Sequence, residues 1–186
     1  MIRECVVTTL AADGRPHLAP LGLIEAGEHW IIAPFRPSTT LANLEQTPVA
    51  TASFIDDARI FAGCVTGQKD WPLAPIDGWR APRLEAALSH AELEVERIEP
   101  DDLRPRFWCR VRRIAMHRPF LGMNRARAAV LEAAVLATRL HMLPRQKIES
   151  EIAYLTIAVD KTAGDAEREA FALVLSKIDA HLRASA

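Results

Sequence analysis

Turn signals divide the first half of the sequence into short apolar runs, and this pattern constrains the fold more than any other feature. The run "ECVVTTL" (residues 4–10) is β-branched and apolar, as strands are, and the following Asp13-Gly14 is a strong hairpin signal. Pro16 and Pro20 interrupt the next run, "RPHLAPLGLIE", so that strand must lie at a sheet edge or break there. The pattern predicts antiparallel strands joined by tight turns.

Further strands are predicted across the first 120 residues, at 30–35, 49–55, 59–67, 91–99 and 106–118. The strands at 49–55 and 59–67 are expected to form a hairpin that turns at Asp56-Asp57. Residues 68–86 carry prolines and two tryptophans, Trp71 and Trp79, and are predicted to be a long loop of the kind that is often functional.

Two segments carry helical signals. Residues 38–46 predict a short helix with Ser38 or Thr39 as its N-cap. From residue 124 onward the apolar residues recur with a helical period, which predicts a nearly all-apolar helix at 124–142, a second helix beginning at Pro144, and a third beginning near Asp165. The fold class is therefore α+β, with six to seven antiparallel strands in residues 1–120 and a helical portion in residues 121–186.

Composition narrows the function classes. The formal net charge is −1, so the chain is not a polycation built for nucleic acid. Three widely spaced cysteines in apolar runs favour reduced, buried thiols in a cytoplasm over a disulfide framework. The sequence has no metal-binding motif, no signal-peptide pattern at its start and no membrane-length apolar run, so we expect neither a metal site nor a membrane.

Charge is nevertheless uneven along the chain. Residues 101–145 hold ten arginines and no lysine against three acids, Asp101, Asp102 and Glu132. One interpretation is a set of intramolecular ion pairs; the other is a surface for a nucleic acid or an acidic partner, which would bind with steep salt dependence.

The segment "RPSTTLANL" (36–44) is a candidate anion site. Arg36 offers a cation, Ser38, Thr39 and Thr40 offer hydroxyls, and the first amides of the predicted helix point outward with partial positive charge. These groups together can hold a phosphate, although a capped surface helix beside an arginine explains the same residues.

The segment "HLAPLGLI" (17–24) is a candidate ring site. A proline-broken strand leaves backbone amides and carbonyls for a flat heterocycle, and the small residues Ala19 and Gly22 permit close approach. A plain edge strand is the alternative. In residues 123–140, Arg125, Arg127 and Glu132 either face a ligand or a partner subunit or pair with one another.

The sequence shows no Ser-His-Asp arrangement, catalytic carboxylate pair or phosphate-binding glycine loop. If the protein is an enzyme, a cofactor is therefore expected to carry the chemistry.

Taken together, "ECVVTTLAADGRPHLAPLGLI", "RPSTTLANL", "DDARIF" and "NRARAAVLEAAVLATRL" resemble the DUF447 family over nearly the full length. The specific elements are S-x-T-x-x-N-L, here Ser38, Thr40, Asn43 and Leu44, and the helix that begins at Asn124. The family belongs to the FMN-binding split β-barrels, which are related to flavin reductases and pyridoxamine-phosphate oxidases.

The resemblance implies a homodimer that binds FMN near the subunit interface. It implies that the phosphate is held by Arg36, Ser38 and Thr40, assisted by Asn43. It places the isoalloxazine ring against one strand and two threonines beside it: His17, Ala19, Pro20, Leu21, Gly22, Thr8 and Thr9. It also implies that Asn124 and Arg125 reach the same site or the site of the dimer mate. His17 stands where the family pattern leads us to expect Asn, and Thr51 is a second departure.

The function that the resemblance implies is flavin-dependent redox chemistry on a small molecule, linked to methanopterin-dependent one-carbon metabolism. The loop with Trp71 and Trp79 is expected to cover the flavin. The alternative is a flavin-binding carrier or sensor without turnover.

Overall fold

A computed structural model describes residues 1–184, which form two compact units. The first, called the barrel unit, comprises Met1–Ile55 and Trp71–Phe120; the second, called the helical unit, comprises Asp56–Asp70 and the chain from Leu121 onward. The α+β prediction is confirmed. Residues 56–70 group with the helical unit, whereas the sequence division at residue 120 assigned them to the barrel.

Six strands close the barrel in the order β1-β2-β3-β8-β7-β4, and every neighbouring pair is antiparallel. The elements of this unit are β1 (Ile2–Leu10), β2 (Pro16–Ala26), β3 (His29–Ile32), α1 (Thr39–Gln46), β4 (Val49–Phe54), β5 (Leu73–Ile76), β6 (Trp79–Leu84), β7 (Ser89–Glu99) and β8 (Arg106–Met116). The predicted turn at Asp13-Gly14 joins β1 to β2, with Gly14 at a φ of 84° that favours glycine.

Alternate residues of the strands fill the barrel interior. Cys5 and Val7 of β1 belong to this core, together with Ala50 and Ala52 of β4 and Phe107 of β8. The helix α1 closes one end, since Leu41 and Leu44 are buried in the same core. The even-numbered residues of β1 therefore face outward.

The barrel is split along one edge of β2. Every residue from Pro16 to Ile24 pairs with β1, but pairing with β3 begins only at Ile24. On that side no strand of the described residues pairs with residues 16–23. The two prolines thus lie where the sequence placed them, on a strand edge.

Residues 73–84 form a β-hairpin, β5–β6, where the sequence analysis predicted a loop. Asp77-Gly78 makes its two-residue turn, and Gly78 has a φ of 71°. The hairpin lies on the outer face of β4, because Leu84 N donates to Ser53 Oγ (3.0 Å) and Thr51 Oγ1 donates to the carbonyl of Ala81 (2.6 Å). The hairpin covers Thr51 and Ser53, and both residues are completely buried.

The helical unit contains α2 (Ala58–Thr66), α3 (Arg125–Ala137), a 3₁₀ turn (Leu140–Met142), α4 (Arg145–Thr162) and α5 (Asp165–Ala184). The predicted strand at 59–67 is wrong, because this segment is α2. Asp57 caps its start by accepting from Arg59 N, and Gly67 ends it in the left-handed region at a φ of 112°. These two end signals outweigh the β-branched and aromatic residues between them.

The helices enclose a core of their own. Ala58 and Ala62 of α2 pack with the apolar residues of α3, and Ile148, Leu155 and Val159 of α4 are buried in the same core. The inner face of α5 contributes Phe171, Val174 and Ile178, which are buried in this core.

Candidate functional site

The open edge of β2 is the first part of the candidate site. No strand of the described residues pairs with this side of residues 16–23, which is the arrangement that the sequence analysis proposed for a planar ring. The predicted ring residues His17, Ala19, Pro20, Leu21 and Gly22 all lie on this strand and are partly exposed.

Gly22 has a local reason to be small. A Cβ atom at this position would lie 2.7 Å from Ile2 Cγ2 and 3.2 Å from Glu4 Oε1 on the neighbouring strand. The packing of β1 on β2 therefore already disfavours a larger residue there, and the absence of a side chain is no independent sign of a ligand.

Thr8 provides an orphaned polar atom on β1, one strand away from this edge. It is fully buried on the outer face of β1, opposite Leu18 of β2 and Thr51 of β4, and its hydroxyl has no hydrogen-bond partner among the described residues. A buried hydroxyl without a partner is costly, so a ligand atom that reached it would gain a hydrogen bond. This observation fits a polar heterocycle lying at the β2 edge.

The start of α1 is the second part. Ser38 is its N-cap and accepts from Leu41 N (3.2 Å), which confirms the predicted cap. The N–H groups of Thr39 and Thr40 precede that bond and have no acceptor inside the helix. Arg36 is half exposed, and its Nη2 lies 3.5 Å from Glu45 Oε1, a surface pair weak enough for an anion to displace.

Asn43 is turned into the barrel. Its Nδ2 donates to Thr9 Oγ1 at 3.0 Å, and both residues are buried. The bond ties α1 to β1 and so fixes the helix start relative to the split edge. The predicted role of Asn43 and Thr9 at the ligand stays a prediction; in the absence of a ligand they support the scaffold.

Asn124 and Arg125 lie at the start of α3 in the helical unit. Asn124 caps that helix by accepting from Arg127 N (3.1 Å), and its Nδ2 donates to the carbonyl of Thr162 (3.0 Å). Arg125 is exposed. The contribution of these two residues to the site stays a prediction.

A buried polar network under the β5–β6 hairpin escaped the sequence analysis. Glu92 of β7 is 5% exposed, and its Oε1 accepts from Arg113 Nε at 2.7 Å. The Arg113 Nη2 also donates to the carbonyl of Asp77 in the hairpin turn (3.3 Å). On the same face, Trp79 Nε1 donates to Thr51 Oγ1 at 3.0 Å. Acidic and apolar residues alternate in 91–99, which is typical of a half-exposed strand, but Glu92 is buried under the hairpin.

His90 extends this network towards the surface. Its Nε2 lies 3.3 Å from Glu92 Oε1 and its Nδ1 lies 2.7 Å from Nε2 of the exposed His117. Burial, followed by the nearby positive charges, lowers the pKa of His117. The His90–Glu92 spacing on a strand was the one sequence signal for this cluster.

The thiols offer no nucleophile in the barrel. Burial raises the pKa of Cys109 to about 12 and raises the pKa of Cys5 further, so both remain protonated at neutral pH.

Among residues 1–184 no group of three His, Cys, Asp or Glu side chains is arranged to hold a metal ion. Within the same residues no helix is long and apolar enough to cross a bilayer.

Most arginines of residues 101–145 have acceptors inside the protein. Four of these arginines, Arg110, Arg112, Arg113 and Arg127, form five ion pairs, with Glu96, Glu94, Glu92, Asp56 and Glu167 as partners. Arg104 donates to the carbonyl of Ala33 and lies over the ring of Phe35. This pattern favours the ion-pair interpretation of the segment.

Solved structures show the same fold. An FMN-bound protein from Methanosarcina mazei, described as a member of family DUF447, is 23% identical, has a TM-score of 0.83, and covers 95% of this chain and 94% of its own. A protein from Shewanella frigidimarina, described as a flavin reductase with a split-barrel domain on resemblance alone, is 11% identical with a TM-score of 0.56, covering 61% of this chain and 66% of its own.

The flavin reductase of a styrene monooxygenase from Pseudomonas putida is 15% identical with a TM-score of 0.53, covering 62% of this chain and 81% of its own.

No curated protein sequence matches the chain. Family models do match. The one described as "Protein of unknown function (DUF447) N-terminal domain" covers residues 3–118, and the one described as "Protein of unknown function (DUF447)" covers residues 124–176. The chain, with its split barrel followed by helices, therefore belongs to the DUF447 family.

Proposed function

We propose that the barrel unit binds FMN and supports flavin-dependent redox chemistry on a small molecule. The observation that carries the proposal is the unpaired edge of β2, with the orphaned hydroxyl of Thr8 one strand away on β1. The FMN named for the Methanosarcina mazei protein supports it further.

In this proposal the start of α1 receives the phosphate. Arg36 supplies a cation, the hydroxyls of Ser38 and Thr40 supply donors, and the free amides of the first turn add partial positive charge. The bond between Asn43 and Thr9 holds this helix in register with β1. Because α1 is fixed on the barrel, the phosphate would be held without a glycine-rich loop.

The β2 edge receives the ring. Backbone groups between His17 and Gly22 and the hydroxyl of Thr8 would orient it, and the prolines keep another strand from occupying the edge. Bound FMN supplies hydride and single-electron transfer, and the protein supplies orientation and exclusion of water. No side chain is assigned as a catalytic acid or base.

The first test is the visible absorption spectrum of the purified protein, before and after FMN addition and desalting. A retained flavin spectrum is expected for the wild type. The Arg36→Ala, Ser38→Ala double variant should bind FMN at least about tenfold more weakly, since each charge-assisted contact to a phosphate contributes roughly 1.5–3 kcal/mol.

The matched control is Arg139→Ala, Ser176→Ala, two exposed residues of the helical unit. It should retain FMN like the wild type. Because loss of the Ser38 cap costs about 1 kcal/mol on its own, circular dichroism of both variants separates unfolding from lost affinity. Absence of any retained or titratable flavin in the wild type would overturn the proposal.

Turnover separates an enzyme from a carrier or sensor. With FMN present, rapid oxidation of NADH or NADPH indicates a reductase, and flavin binding without turnover indicates a carrier or sensor. The link to methanopterin-dependent one-carbon metabolism belongs to the same proposal, and oxidation or reduction of a methanopterin by the FMN-loaded protein tests it.

A homodimer with FMN near its interface, in the cytoplasm, completes the proposal. The three cysteines are free and buried, in keeping with a reducing compartment. Sedimentation velocity at micromolar concentration tests the dimer, and a monomer that retains FMN would remove the interface from the proposal.

A further inference from the structure

The two ends of the barrel differ. At one end α1 covers the core with Leu41 and Leu44. The other end, where β1 begins and β4 and β8 finish, opens into a cavity of about 500 Å³, here called the barrel mouth. A volume of this size is typical of small-molecule sites, which occur preferentially in the mouths of β-barrels.

The floor of the barrel mouth is aromatic. Trp30 and Phe54 are partly buried against the barrel core and meet edge to face, with ring centroids 5.8 Å apart and an interplanar angle of 86°. Ile114 and Met116 line the wall and are 55% and 79% exposed. Such exposure of large apolar side chains around a concavity marks a binding site.

The charge at the rim is positive. Arg3 lies at the cavity but is paired with Glu25 at 2.5 Å. Arg118 also lines the cavity, and none of the described carboxylates is within ion-pair distance of it. The backbone N–H of Arg118 donates to the carbonyl of Leu88 (3.1 Å), and this bond fixes the position of the backbone from which the side chain extends. Among the described residues that line the cavity none is acidic.

We propose that the barrel mouth binds a small planar aromatic carboxylate, with the ring against Trp30 and Phe54 and the carboxylate at Arg118. This site is separate from the β2 edge, and it does not depend on the proposed flavin function.

The probe is naphthalene-1-carboxylate, titrated calorimetrically into wild-type protein with and without saturating FMN. One equivalent is expected to bind in both cases. Its neutral counterpart, naphthalene-1-methanol, should bind about tenfold more weakly, because it lacks the charge-assisted contact.

Three variants locate the site. Arg118→Ala should weaken the carboxylate about tenfold and leave the alcohol unchanged, whereas Met116→Trp should block both by filling the cavity. Arg106→Ala is the matched control, since Arg106 is exposed at the opposite end of the same strand. Met116 and Arg118 are exposed, so the melting temperatures should stay close to that of the wild type.

Four results would overturn the proposal: no binding up to about millimolar carboxylate, equal losses in Arg118→Ala and Arg106→Ala, displacement of the carboxylate by FMN, or a dimer that Met116→Trp dissociates. The third would merge the mouth with the flavin site, and the fourth would assign this face to self-association. Failure to bind FMN while the carboxylate still binds would count against the proposed function alone.

Discussion

Thr8 and Thr9 are consecutive residues on β1 whose hydroxyls are in opposite situations. Thr9 Oγ1 accepts from Asn43, whereas Thr8 Oγ1 is buried without a partner among the described residues. In the protein without ligand, Thr8→Val should therefore raise the free energy of unfolding by about 1 kcal/mol, since the buried hydroxyl is removed and the shape is kept. The same variant should bind FMN about three- to tenfold more weakly, measured by flavin fluorescence titration.

Thr9→Val is the matched control. It leaves Asn43 Nδ2 buried without its acceptor and should lower the free energy of unfolding by about 1–3 kcal/mol in urea denaturation. Equal destabilisation by the two valines would mean that Thr8 is an ordinary core residue with no ligand role.

The roles of individual residues could be predicted from the sequence where the signal lies in neighbouring residues of the chain. Ser38 or Thr39 is predicted as the N-cap from its position at the start of the helical segment, and Ser38 makes the cap bond. Glu92 and His90 were missed because their burial depends on a hairpin that returns over the sheet from another part of the chain. Periodicity along a strand reports which face a residue is on, but it does not report what covers that face.

Two elements show how sequence signals compete. The segment now seen as α2 holds β-branched and aromatic residues that favour a strand, but Asp57 and Gly67 bracket a helix of nine residues. Asp77-Gly78 is the same hairpin signal as Asp13-Gly14, yet the flanking prolines suggested a loop. A two-stranded hairpin leaves each strand one open edge, so proline is tolerated there.

Arg127 links three parts of the helical unit. Its Nε donates to Glu167 Oε1 in α5 at 2.9 Å, and its Nη1 donates to Asp56 Oδ2 before α2 at 2.5 Å. The hydrogen bond from Arg127 is the main cause that lowers the pKa of Glu167. Glu167 therefore has a lower pKa in the folded state than in the unfolded state, where it is about 4.3. Its ionised carboxylate stabilises the fold at pH values above the unfolded-state pKa, and this stabilisation is lost as the pH falls through the folded-state pKa.

Glu167→Gln should therefore lower the free energy of unfolding by about 1–3 kcal/mol at pH 7 and flatten its decline below about pH 5, because the side chain no longer titrates. Urea denaturation followed by circular dichroism across pH 3–7 measures both effects. Glu169→Gln, on the same helix but exposed and 3.8 Å from Arg59, is the control and should follow the wild-type curve. A wild-type slope in Glu167→Gln would contradict the assignment.

At the scale of the whole molecule, the helical unit is discontinuous in sequence. Ala58 and Ala62 of α2 are buried in the core of the later helices, so cutting the chain after residue 120 removes their packing partners. We expect residues 1–120 alone to aggregate or to bind the dye 8-anilinonaphthalene-1-sulfonate, because an apolar helix face is uncovered.

The repair experiment replaces residues 56–70 of that fragment with a Gly/Ser linker of the same length. This version should be monodisperse by size-exclusion chromatography and keep its β-sheet circular dichroism. If the unmodified fragment behaves as well as the repaired one, the barrel does not need the helices to shield α2, and the division at residue 120 predicted from sequence is the better one.

The split in the barrel also bears on how the protein avoids self-aggregation. A free strand edge is a template on which another chain can add a strand, and barrels normally avoid this by closing completely. Here the free edge runs from residue 16 to residue 23 and contains Pro16 and Pro20, which have no N–H to offer an incoming strand. A ligand that needs only a few backbone contacts can therefore still bind at this edge. Another strand cannot form the continuous ladder of backbone hydrogen bonds there on which fibril growth depends.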